Sequence, residues 1–267
     1  MSQPVLRIFS YLPNPRVMKA QIAARLCGVE VEIVGANPSE LGRWLWDFDA
    51  RPLTADERGD DSLNARNAKR GFAGVLFKTD AFMQAHPFGT VPAAFSPDGH
   101  VGIFESNSIL RAVARRGSAA RALYGHDDYE ASRIDSFLDA NLVFAREAQV
   151  YLLGVESLTR EGHARMASAY AFYLDGIERT LDSGAYLVGP SITIADISFV
   201  CDLAQFLREG HYADRLAQQG FDVVSAGGTA GYPRAFAHML DLAASPDFVD
   251  VLGSYLDWYR RAEGAGA

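Results

Sequence analysis

Cysteine is scarce in this chain of 267 residues, which has two, Cys27 and Cys201. Thiols so few and so far apart build neither a disulfide framework nor a cysteine zinc site. Both lie in helix-like apolar patterns, which reads as buried free thiols. The six histidines show no ligand spacing, so no metal site is expected. Excess basic charge is missing as well. A net charge of −8 argues against nucleic acid, and equally against an anionic membrane surface, as a partner. No apolar run reaches membrane-spanning length. The start, MSQPVLRIFSYLP, lacks the basic end and long apolar centre of a secretory signal, so a cytoplasmic protein is expected. What remains is ordinary: 49% apolar and 22% charged residues, in a chain long enough for one large or two modest domains.

Local patterns divide the chain. Residues 5–11, VLRIFSY, alternate as a strand does, and NPRVMKAQIAARLCG carries Val17, Met18, Ile22, Ala23 and Leu26 at helical spacing. Gly28 supplies a helix stop, and VEVEIV (29–34) alternates apolar with acidic residues as a half-exposed strand. Strand, helix and strand with short joints predict a right-handed crossover with the two strands parallel. Residues 36–75 break this order with three large aromatics, Trp44, Trp46 and Phe48, and a charged stretch without clear periodicity. That is too long for an ordinary connection and reads as a lid or an interaction segment. Thr79 then caps a short helix. VPAAF and HVGIF form a hairpin over Ser96-Pro97-Asp98-Gly99, and SNSILRAVARR closes the region as a helix. After 117–126 no strand pattern returns, and 127–153, 160–183, 194–209, 232–244 and 246–260 all read as helices. The expected architecture is a thioredoxin-like domain over 1–117, a four-stranded mixed sheet of βαβ then αββα order with the insertion at 36–75. An all-helical domain over 127–267 follows it.

Three segments carry a resemblance to the cytosolic glutathione S-transferases. HPFGTVPAAF (86–95) is similar to their Asn-Pro-x-Gly-x-Val-Pro stretch, and FESNSIL (104–110) to their Glu-Ser-x-x-Ile step. YLVGPSITIADISF (186–199) resembles the signature of a long core helix in their second domain. Within that helix Thr193 and Asp196 read as a capping box, a folding device without chemistry. The resemblance implies glutathione as co-substrate and a cis peptide at Val91–Pro92. It leaves the Val91 backbone to pair with the bound tripeptide like an added strand. Ser106, at a helix start where an anion is favoured, is implied to hold the γ-glutamyl carboxylate. Glu105, one residue earlier, offers its charge to the adjacent ammonium.

Such an enzyme must hold the glutathione sulfur as a thiolate, and hydrogen-bond donors aimed at it favour that form. The position matching the family's usual Ser or Cys is Asn14. Asn14 is the expected N-cap of the first helix, with an amide NH₂ left to donate to sulfur. Ser10 and Tyr11, on opposite sides of the strand end, are the alternatives. The missing Cys in YLPNPR argues against glutathione–disulfide exchange chemistry. The expected substrate is a small aromatic electrophile, and β-aryl ether cleavage of lignin-derived aromatics, as in bacterial β-etherases, is the sharper form. A homodimer, or a heterodimer with a related transferase, is expected. FESNSI, YLVGPSITIADISFVC and RVMKAQIAA also resemble the transferase-like domain of elongation factor 1B gamma, which implies the rival reading of a non-catalytic assembly module. The insertion at 36–75, and the end of the chain soon after the helical region, favour the enzyme.

Overall fold

In the computed structural model, residues 3–59, 61–68, 71–72, 74–117 and 122–265 are described, the last five by their backbone alone. The chain divides into two units, Met1–Arg121 and Ala122–Ala267.

The first unit opens with β1 (Leu6–Tyr11), α1 (Pro15–Cys27) and β2 (Val31–Ala36). Asn14 caps α1, its side chain accepting from the Arg16 N–H, and Pro15 fills the first helical position, where no N–H is needed. Gly28 ends α1 at φ 68°, a left-handed conformation that a β-carbon disfavours, with its N–H returned to Ala24 and Arg25. β1 and β2 pair in parallel, Leu6 opposite Val31 through Tyr11 opposite Ala36, as the crossover argument requires.

An unanticipated element follows. The described residues of 36–75, where no periodicity was visible, contain short strands. β3 (Trp44–Trp46), β4 (Arg51–Pro52), β5 (Ala65–Asn67) and β6 (Val75–Lys78) form a second sheet in the order β4-β3-β6-β5. Trp46 and Leu41 are fully buried and share one cluster with Phe9, Phe82 and Phe95 of the surrounding domain. Trp46 meets Phe9 edge-on at 5.5 Å between ring centroids, and its indole N–H donates to the Leu41 carbonyl at 3.1 Å. These strands of two to four residues are too short for alternation to show; burying the aromatics is what orders them.

Then come α2 (Asp80–Ala85), capped by Thr79, the hairpin β7 (Ala93–Phe95) and β8 (Gly102–Phe104), and α3 (Ser106–Ala114). The main sheet runs β2-β1-β7-β8, with β7 antiparallel to both β1 and β8. It is the expected four-stranded mixed sheet. α1 and α3 pack on each other through their buried faces.

The second unit is helical: α4 (Asp128–Leu153), α5 (Arg160–Thr180), α6 (Ile194–Leu207), α7 (Ala213–Gln218), α8 (Gly228–Gly231), α9 (Pro233–Ala244), α10 (Pro246–Phe248) and α11 (Ser254–Ala265). α6 is its centre, with thirteen of its fourteen residues buried, so it has no polar face to pattern. The capping box forms as read: Asp196 accepts from the Thr193 N–H at 2.9 Å, and also from the Leu187 N–H at 2.9 Å. Among the described residues, no helix is long and apolar enough to cross a membrane.

Candidate functional site

The site residues expected from sequence all lie in the first unit, on three of its loops. At the end of β1, Ser10 is fully buried and Asn14 is 1% exposed. Asn14 caps α1 through Oδ1, which accepts from the Arg16 N–H at 3.0 Å, and its Nδ2 donates to Ser10 Oγ at 3.0 Å. One of the two amide hydrogens is thereby committed, so Ser10 serves as the support of Asn14. Tyr11 is half-buried, packed beside the aromatic cluster. The two strand-end hydroxyls thus occupy different environments.

On the second loop the Val91–Pro92 peptide is cis, as the resemblance implies. Gly89 precedes it at φ 59°, and the Gly89 carbonyl accepts from Lys78 Nζ at 2.6 Å, with that ammonium 4.5 Å from the centre of the Trp46 ring. The second sheet therefore anchors the loop that leads into β7. His86 lies beneath it, 1% exposed and packed edge-on against Phe95 at 4.7 Å. Burial lowers its pKa to about 4, with a smaller opposing pull from the Ala94 backbone.

The third loop enters α3. Glu105 is exposed and occupies the N-cap position at φ 65°, ψ 126°; among the described residues it is the single non-glycine with positive φ. A side chain there costs about 1–3 kcal/mol, and such outliers concentrate at ligand clamps. The Glu105 side chain makes no capping bond. Ser106 is the first helical residue, not the cap, so its hydroxyl is not used to close the helix end. Behind it stands Lys19 of α1, 1% exposed, which donates to Ser106 Oγ at 3.4 Å and to Asn107 Oδ1 at 2.9 Å.

The loop into α3 thus presents a helix mouth with no side-chain cap and a hydroxyl, with a buried ammonium behind that hydroxyl and an exposed carboxylate beside it. Lys19 escaped the sequence reading. Its signal was a lysine at a buried position in a helix buried nearly all round. The aromatics singled out as pocket or core resolve mainly to core: Trp46, Tyr151, Tyr170 and Tyr173 are buried, and Phe172 is 79% exposed.

No family model matches the chain. Elongation factor 1-gamma of Artemia salina is 30% identical over 201 residues, 74% of this chain and 37% of that protein. The glutathione S-transferase-like protein LUC7 of a Fusarium species is 26% identical over 199 residues, covering 73% of this chain and 74% of that one. Among solved structures, the glutathione transferase URE2P8 of Phanerochaete chrysosporium with oxidized glutathione superposes with a TM-score of 0.66. It is 16% identical and covers 97% of this chain and 98% of that one. The fold is that of the glutathione transferases. In sequence the chain is similar to elongation factor 1-gamma and to glutathione S-transferase-like proteins. It spans less than half the length of the elongation factor relatives it matches.

Proposed function

We propose that this protein binds glutathione on its first unit and transfers the tripeptide's thiolate to a small aromatic electrophile. The observation that carries the reading is the mouth of α3, where a strained Glu105, a Ser106 hydroxyl not used as a cap and a buried Lys19 converge. Ser106 donates to the γ-glutamyl carboxylate and Glu105 receives the adjacent ammonium. The Val91 backbone, held before Pro92, pairs with the cysteinyl residue as an added strand. Asn14 stabilises sulfur with the amide hydrogen not given to Ser10, while Ser10 fixes the amide plane. Tyr11 is the alternative donor. A solved relative of the same fold holds glutathione in oxidized form, which supports this choice of ligand. A cytoplasmic dimer, of two copies or with a related transferase, belongs to the same reading.

The test is calorimetric titration with glutathione. Ser106→Ala is expected to weaken binding by about 1–2 kcal/mol, the worth of a charge-assisted hydrogen bond. No heat at millimolar glutathione from the unaltered protein refutes the reading. Turnover of a chloronitrobenzene tests general conjugation, and a β-aryl ether dimer of the lignin type tests the narrower one.

The similarity to elongation factor 1-gamma favours a second reading, in which the fold serves as an assembly module without catalysis. Glutathione binding with no turnover across a panel of aromatic electrophiles selects it.

A further inference from the structure

We infer that the outer edge of β2 receives an extended basic segment of another protein as an added strand. β2 stands at the end of the main sheet's order, β2-β1-β7-β8, and among the described residues no strand pairs with its outer side. Alternate residues of a strand turn their N–H and C=O groups to opposite edges, so half of those groups along the six residues of β2 face away from β1.

The side chains at this edge are sorted by face. Val31 lies opposite Leu6 and Ile33 opposite Ile8, and those two β1 residues are buried. Val31 and Ile33 share their face of the sheet yet are only half-buried. The apolar face thus runs out to the edge and stops uncovered. A groove of about 420 Å³ lies there, lined by Val31 and Ile33 and by Gln21, Ala24 and Arg25 of α1. Alternation sets Glu30 and Glu32 on the other face, both exposed. Glu32 has Arg7 at 3.5 Å, whereas no cation partners Glu30 among the described residues.

Charge selects the occupant. Two copies of β2 laid edge to edge would set glutamate against glutamate, which destabilises a strand pair. The same carboxylates attract a strand of opposite sign, on a chain whose net charge is −8. The fitting segment alternates apolar residues, which fill the groove, with lysine or arginine, which face Glu30 and Glu32. Main-chain bonds hold such a segment and alternate side chains select it.

The full-chain protein is titrated with a blocked, dye-labelled hexapeptide of alternating lysine and valine, read by fluorescence anisotropy. A glutamate–valine hexapeptide is the control. The lysine peptide is expected to bind about tenfold or more tightly than the control, and the double variant Glu30→Lys, Glu32→Lys to reverse that order. No binding of the lysine peptide, or a preference that the double variant leaves unchanged, overturns the inference. Methylating alternate peptide nitrogens then separates an added strand from simple attraction of charge, and it decides the matter in the unaltered protein should the double variant not fold. Methylation of one alternate set is expected to abolish binding, and of the other set to change it by less than about threefold, because only one set faces β2. Equal affinities of the two methylated peptides overturn the inference.

Discussion

His86 provides a way to read the site's scaffold by acidity. Its ring is buried among Phe82, Phe95 and Phe104, and that burial lowers its pKa from 6.5 to about 4. The unfolded chain therefore binds a proton between those values when the folded chain does not, and stability rises with pH across that window. His86 contributes its full share above about pH 6.5. The share shrinks as pH falls toward 4 and levels off below it. A difference of about 2.5 units corresponds to about 3 kcal/mol in total, with about 2 kcal/mol already lost at pH 5. Against a typical stability of about 5–15 kcal/mol that is a large fraction. Urea unfolding followed by tryptophan fluorescence is the assay, since Trp44 and Trp46 belong to the first unit and Trp258 to the second. His86→Leu serves as reference, because the difference between the two pH profiles cancels the carboxylates that titrate in the same range. The unaltered protein is expected to lose about 2 kcal/mol more than His86→Leu between pH 7 and pH 5. Parallel profiles refute the argument and mean that the ring takes its proton in place.

Glu105→Gly removes a side chain from a positive-φ position, so stability should rise by about 1 kcal/mol while glutathione affinity falls; a drop in both shows that no strain was stored there. Asn14→Ala should cost about 1 kcal/mol of stability through the lost cap. It should also lower conjugation rate far more than glutathione affinity, and an unchanged rate in steady-state kinetics removes Asn14 from the chemistry. Trp46→Ala should destabilise the first unit by about 3–5 kcal/mol in the same urea assay, as a fully buried indole does. A loss under 1 kcal/mol would mean that the second sheet is dispensable.

Much of the fold was legible because its signals are local. Asn14-Pro15 and Gly28 bracket α1, Thr79 opens α2, and Thr193 with Asp196 opens α6, each within a few residues of the helix it bounds. The turn of residues 96–99 announced its hairpin in the same way. β3 to β6 were not legible. Their pairs join residues as distant as Leu45 and Phe77, over strands too short to show a period. The site divides along the same line. Glu105 and Ser106 stood out by motif, whereas Lys19 reaches Ser106 across 87 positions of sequence and left only a charge in an apolar helix.

The chain by itself determined where helices begin and end, which strands run parallel, and which short motif opens α3, because capping, turn chemistry and hydrophobic period act between near neighbours. Tertiary structure alone decided that Leu41 and Trp46 of the insertion are core, that Asn14 donates to Ser10, and that a buried ammonium stands behind α3. Those outcomes depend on which surfaces meet when water is excluded, and that is settled by packing across the whole unit.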